Sequence, residues 1–318
     1  MKKRYFFIPV LMVFSLTGCM AKIANILQPK GSSGSSSMNS SEGTNTSSGT
    51  NSSSSSSSGS SSSSSSSSSE LPADVIQYYS TIDDELTGNL LLTALNTLNK
   101  NKRIRTMGYG KHRNYFKYTE IIPGNTPSGK MYGFYNSALV SNAWDNQETW
   151  NHEHMWPNSR GAGSKGSLSE PYIEDDIHMV RPTSVSINSS RGNKFFGTSG
   201  STYDPGQYEA AYRGVAARII FYCAIADTRL TLVDKDTDDK TNSTMGKLSL
   251  LLQWNLQYAP SSKSDAGTAL LVEQNRNNVI YSRSDLQGNR NPFIDHPEYA
   301  CKIWGNETAA TKSACGYN

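Results

Sequence analysis

The sequence predicts an α+β fold, mostly helical, with a small sheet near residues 148–182. Three observations lead there. Leu90, Leu91, Leu95 and Leu98 recur at helical spacing, the run from Tyr208 to Ala226 has the spacing of a buried helix, and strand signals are short and scattered. In chain order, the first helix follows Thr87-Gly88. Residues 104–149 are loop-rich, with Gly108, Gly110, Gly124, Gly129 and Gly133 among many tyrosines. The small sheet comes next, then the Tyr208–Ala226 helix. Leu248 to Tyr258 and Ala266 to Tyr281 read as two more helices, parted by Pro260-Ser261-Ser262.

Two segments precede this globular part. Lys2, Lys3 and Arg4 stand before an apolar run, Tyr5 to Leu16, too short to span a bilayer comfortably. The run ends in Leu16-Thr17-Gly18-Cys19, so residues 1–19 read as an export signal with a lipobox, Cys19 being the acylated residue. Residues 20–69 read as a tether, because 26 of the 39 positions from 31 to 69 are serine and bury nothing that offsets the entropy of ordering. A flexible chain of roughly 50 residues reaches about 35–40 Å. Residues 70–318 then form the domain. They hold 16 of the 17 tyrosines and all five tryptophans, enough for one substantial core. The expected location is outside the cytoplasm: lipid-anchored at the surface or in the periplasm, or released.

The composition excludes a polytopic membrane protein, a coiled coil and a disulfide-dense mini-protein. In an exported chain Cys301 and Cys315 could close a short loop, leaving Cys223 a buried thiol in the apolar run Ile219 to Ala224. The formal charge of +3 is mostly signal. Removing Lys2, Lys3 and Arg4 takes it to 0, and removing Lys22, Lys30 and Glu42 leaves −1 for residues 70–318. Attraction to a polyanion must therefore be local.

Reactive residues concentrate in Trp150-Asn151-His152-Glu153-His154-Met155-Trp156-Pro157-Asn158-Ser159-Arg160-Gly161, and in Asp176-Ile177-His178-Met179-Val180-Arg181-Pro182 with Ile187-Asn188-Ser189-Ser190-Arg191-Gly192-Asn193. A zinc protease would need a second histidine where Trp156 stands. A zinc deaminase would need a Pro-Cys-x-x-Cys partner, which the chain lacks. Phosphodiester hydrolysis with a hard metal asks for less. A carboxylate and an amide oxygen suit Mg²⁺, a neutral histidine takes the proton of the attacking water, and arginines hold flanking phosphates. Glu153, Asn188, His154, Arg160, Arg181 and Arg191 supply that set.

These two segments resemble the bacterial endonuclease I family of secreted, non-specific nucleases. The resemblance continues through Arg213 to Tyr222 and through Gln287 to Glu298, covering roughly residues 75–305. It implies a ββα-metal (His-Me finger) core. His154 matches the general base, Glu153 and Asn188 the metal ligands, Glu174 a carboxylate lining the site, and Arg191 a phosphate or transition-state contact. Mg²⁺ is the implied ion, with Mn²⁺ and Ca²⁺ as alternatives. DNA is the implied substrate and RNA a further one, cut to leave 5′-phosphate ends by a monomer. Where the family usually carries arginine this chain has His152, a donor that titrates near neutrality. His152, Arg160, Arg181 and Arg290 are the candidate substrate contacts, Arg181 and Arg290 being equally readable as structural ion pairs. The segment after Trp254 also departs, with Tyr258-Ala259-Pro260 where the family has Asp-Pro. A surface module that keeps the fold and binds nucleic acid without cutting it is the competing class.

Adjacent residues on a regular strand point to opposite faces. Glu153 and His154 can therefore share a site only on an irregular strand or by approaching from different sides. His178 reads as structural, His112 as part of a solvated basic loop between Lys111 and Arg113, and His296 as a turn-former. Trp150 and Trp156 read as packing residues.

Overall fold

The computed structural model describes residues 71–163, 173–235 and 243–318. The export signal, Cys19 and the serine tether lie outside the described residues.

Helices dominate, as the patterning predicts. They are α1 (Ala73–Tyr78), α2 (Gly88–Lys102), α3 (Phe116–Thr119), α4 (Val185–Arg191), α5 (Tyr212–Ala226), α6 (Leu248–Gln257), α7 (Thr268–Ser282), α8 (Pro292–Asp295), α9 (Tyr299–Trp304) and α10 (Ala309–Cys315). The strands are β1 (Lys130–Tyr132), β2 (Leu139–Ser141), β3 (Trp150–His154), β4 (Val180–Ser184), β5 (Thr231–Leu232) and β6 (Thr244–Met245). They pair only in twos: β1–β2 and β3–β4 antiparallel, β5–β6 parallel.

α5 is apolar on nearly every side, so it is buried on nearly every side and becomes the axis of the core. α2, α6, α7 and α8 pack around it. On α2, Leu91, Leu95 and Leu98 lie at i, i+4 and i+7 and are buried. Leu90, expected with them, is 69% exposed because it lies about 100° around the helix from Leu91. The central helix also starts at Tyr212 rather than Tyr208, whose ring is exposed.

Gly214 lets α5 come close to the chain after α6. A Cβ there would collide with the backbone oxygen of Tyr258, which also accepts a 2.8 Å bond from Arg218 Nη1. Cys301 and Cys315 form a disulfide that ties α10 to α9, and Cys223 is free and buried.

Charge is buried here too. Glu120, at the end of α3, accepts from both Arg181 on β4 and Arg276 on α7. Arg218 on α5 pairs with Glu273 on α7, at 2.6 Å and 2.8 Å. Breaking such a pair strands a charge out of water, so these contacts specify how α3, β4 and α7 meet. The loop after β1 is held to β4 as well, Phe134 N–H donating to Pro182 O at 2.8 Å.

Candidate active site

β3 and β4 pair in register Glu153↔Arg181 and His154↔Val180, and β4 runs directly into α4. The strand is regular to its last residue, so adjacent side chains serve opposite faces. Trp150, the first residue of β3, and Trp156, two residues past its end, are fully buried and anchor it.

On one face stands His154. Its Nε2 is shielded from water, makes no hydrogen bond among the described residues and lies 3.8 Å from Glu174 Oε2. Asn158 Nδ2 donates to the same Glu174 oxygen at 2.9 Å. The ring of Tyr109 stacks on the imidazole, and Tyr109 N–H donates to Asp175 Oδ1 at 2.9 Å. Burial, then the charges of Glu174 and Glu153, pushes the Tyr109 phenol up to about 12, so it stays neutral.

On the opposite face Glu153 is buried. Its Oε1 accepts from Tyr135 Oη at 2.8 Å and faces Arg191 Nη1 at 3.2 Å. Burial raises the Glu153 carboxyl, while Arg191 and Tyr135 oppose that rise. Tyr135 holds its position at φ 78°, a conformation unfavourable for a bulky residue and characteristic of functional sites. Asn188, on α4, donates through Nδ2 to Asn151 Oδ1 at 2.7 Å and to His152 O at 3.0 Å. Both of its N–H groups are thereby used. No hydrogen bond among the described residues reaches Asn188 Oδ1 or Glu153 Oε2, which leaves two hard oxygen donors beside one strand, a set that suits Mg²⁺. No three His, Cys, Asp or Glu side chains converge as a metal cluster among the described residues.

The arginines read as substrate contacts turn inward. Arg191, 1% exposed, donates to the backbone oxygens of His154, Met155 and Gly192 and packs over Phe196. It fastens the end of β3 to α4. Arg160 is buried over Phe195 and donates to Asn193 O. Arg181 is buried on Glu120, and Arg290 grips Asp295 through two 2.7 Å bonds. Each of these guanidiniums is turned onto internal acceptors and closed off from water, which leaves it out of reach of a phosphate at the surface.

His152 also departs from expectation. Its ring enters an aromatic cluster with Tyr109, Phe116, Trp144 and Trp150. Burial pushes it down to about 4, helped by the neighbouring His154 and Arg113, so it is uncharged at neutral pH. His112 is not solvated: it is fully buried, its Nε2–H donating to Asp175 O at 3.2 Å, while Lys111 is exposed and Arg113 lies partly buried over Trp144. His178 is structural as expected, donating to Asn289 O, and His296 ends α8 against Glu298.

Four participants carried no sequence signal as such. Tyr109, Tyr135 and Asp175 act through contacts to residues far away in sequence or by backbone. Asn158 sat unassigned inside the conspicuous motif, and only its distance to Glu174 reveals it.

A shielded imidazole facing a carboxylate, with a second carboxylate and an asparagine across the same strand, is a grouping compatible with general-base chemistry. The sequence model of Endonuclease I matches residues 117–298. An extracellular ribonuclease of Bacillus amyloliquefaciens is 34% identical over 247 residues, spanning 73% of this chain and 79% of that protein. An extracellular ribonuclease of Bacillus subtilis (strain 168) is 33% identical over 250 residues, spanning 73% of this chain and 80% of that one. The chain belongs to the endonuclease I family, and is a nuclease, a hydrolase of phosphodiester bonds.

Proposed function

We propose that the chain is an exported, Mg²⁺-dependent endonuclease of low sequence preference, with His154 as general base in a ββα-metal finger made of β3, β4 and α4. The observation that carries this reading is the unpartnered His154 Nε2, 3.8 Å from Glu174 and on the same strand as Glu153. RNA is proposed as a substrate together with DNA, because both relatives are named as extracellular ribonucleases. Those names also support export, for which residues 1–19 supply a signal, Cys19 an acylation site and residues 20–69 a tether. The enzyme acts as a monomer.

His154 Nε2 accepts a proton from the water that attacks phosphorus. Glu174, fixed by Asn158, places its carboxylate beside the nitrogen that takes the proton. Tyr109 keeps the ring in plane. Glu153 and Asn188 are the residues that would hold the divalent ion. Such an ion would supply positive charge for the developing 3′-oxyanion, and the products would carry 5′-phosphate ends. Tyr135 and Arg191 fix the Glu153 carboxylate against rotation. Arg191 thus reads as a positioning residue rather than a phosphate contact.

The test is incubation of the purified protein with plasmid DNA and with single-stranded RNA, in Mg²⁺ and in EDTA. Cleavage abolished by EDTA and by His154→Ala is the expected result. Retardation of nucleic acid without cleavage would identify a binding module instead, and near-normal cleavage by His154→Ala would overturn the assignment of the base.

A further inference from the structure

The arginines read from the sequence as substrate contacts are consumed internally, and residues 70–318 carry no net positive charge. Yet a nuclease needs at least one cation free for its polyanion. Arg113 meets that need. Among the described residues it has no hydrogen bond and no ion pair, and its Cζ lies 5.0 Å from the centroid of the Trp144 ring.

The position is built rather than incidental. Arg113 belongs to the single helical turn Tyr109–Asn114, whose Tyr109 stacks on His154. That turn is fastened to Asp175, next to Glu174, by Tyr109 N–H and by His112. Trp144, half-exposed, packs edge-on against Trp150 at 4.9 Å and lies 5.4 Å from the His152 ring. Arg113, Trp144, His152, Tyr109 and His154 therefore form one continuous run of stacked or edge-packed groups. A guanidinium resting on an indole face keeps its N–H fork available and loses little freedom when it meets a phosphate. Gly110, Lys111 and Asn114 around it are exposed, so a strand can approach.

We infer that Arg113, held over Trp144 at the far end of the aromatic run that leads to His154, binds a backbone phosphate of the polynucleotide strand on the flank of the bond that is cut. The inference rests on the reading of His154 as the base of a nuclease. The ligand is recognised by its phosphodiester backbone, without regard to base identity.

Binding of a short fluorescein-labelled oligoribonucleotide, followed by anisotropy across a salt series, tests this in the His154→Ala background, where no cleavage interferes. Adding Arg113→Ala or Arg113→Gln should weaken binding about tenfold, the loss of one charge-assisted contact. It should also reduce the slope of log K against log salt by about 0.7. Trp144→Leu should weaken binding less and leave the slope nearly intact, since the charge remains. Arg105→Ala, an exposed arginine bonded to Ser284 O, should change neither. With His154 restored, Arg113→Ala should lose its efficiency through KM more than through kcat. Unchanged affinity and slope in both Arg113 variants would overturn the inference, and so would a lower Tm with an unchanged slope, which would make Arg113 a packing residue for Trp144. Absence of cleavage by the unmutated protein would strike the nuclease reading itself, while the binding series would still report on Arg113.

Discussion

The ring of Tyr109 lies almost flat against the imidazole of His154, centroids 4.6 Å apart and planes inclined by 21°. Tyr109 is itself fixed through its backbone N–H to Asp175, which adjoins the carboxylate facing His154. The orientation of the His154 imidazole and the placement of that carboxylate are thus set by one short turn, and this relationship can be tested directly.

Tyr109→Phe keeps the stacked ring and should leave kcat within about twofold of the unmutated enzyme, because the lost hydroxyl was a neutral phenol. Tyr109→Ala frees the imidazole to tilt and should lower kcat on the order of 10- to 100-fold, with KM much less affected. Steady-state kinetics on a defined oligonucleotide separates the two. Equal losses in both variants would assign the effect to the hydroxyl instead.

Arg191 should behave as a structural residue. Arg191→Ala leaves Glu153 buried without its cation and three backbone oxygens without their donor, a loss of about 3–5 kcal/mol by analogy with broken buried pairs. Arg191→Lys cannot reach the same acceptors with one ammonium group and should also unfold at lower temperature. Thermal unfolding measures this. A phosphate contact would instead raise KM at unchanged Tm.

Stability should fall on mild acidification. Burial pushes His112 down to about 3 and His178 down to about 4, against roughly 6.5 for an imidazole in the unfolded chain. The unfolded state therefore binds more protons between those values, so this contribution is complete above about pH 6.5 and is lost as the pH drops through about 4 toward about 3. Tm measured at about pH 7.5 and about pH 5 should show the decline. His178→Gln, which keeps a donor for Asn289 O, should show a smaller one. An identical decline in that variant would remove His178 from the account.

The Cys301–Cys315 disulfide closes a loop of sequence separation 14 and should contribute about 3 kcal/mol. The Cys301→Ser/Cys315→Ser double variant should melt lower by the corresponding amount. Reductant should lower the Tm of the unmutated protein to match and leave the variant unaffected.

The sequence made the helices legible because burial left a period in them. α5 is apolar all round, and α2 carries leucines at i, i+4 and i+7. The paired strands of the candidate site were legible through the density of their reactive residues. What was not legible was the destination of each arginine. Arg181 meets a carboxylate 61 positions away, and Arg191 meets backbone oxygens, which leave no trace in residue type. His112 was read as solvated because its neighbours are basic. A tight turn leaves Lys111 exposed, lays Arg113 over Trp144 and sends the histidine inward, and only the partner at Asp175 discloses it. Tyr135 was invisible for a different reason: its hydroxyl matters only because the backbone adopts a positive φ there.

Glu120 joins β4 to α3 and α7, Tyr135 reaches β3 from outside the hairpin, and Tyr109 covers His154 from a turn more than forty residues upstream. The reactive residues are thus contiguous but not portable. A segment cut from Trp150 to Arg191 would carry His154, Glu153, Glu174, Asn188 and Arg191 and none of those three restraints. Transplanted into another scaffold it would keep the chemistry's inventory and lose its aim, so any graft of this active site must bring residues 109–135 with it.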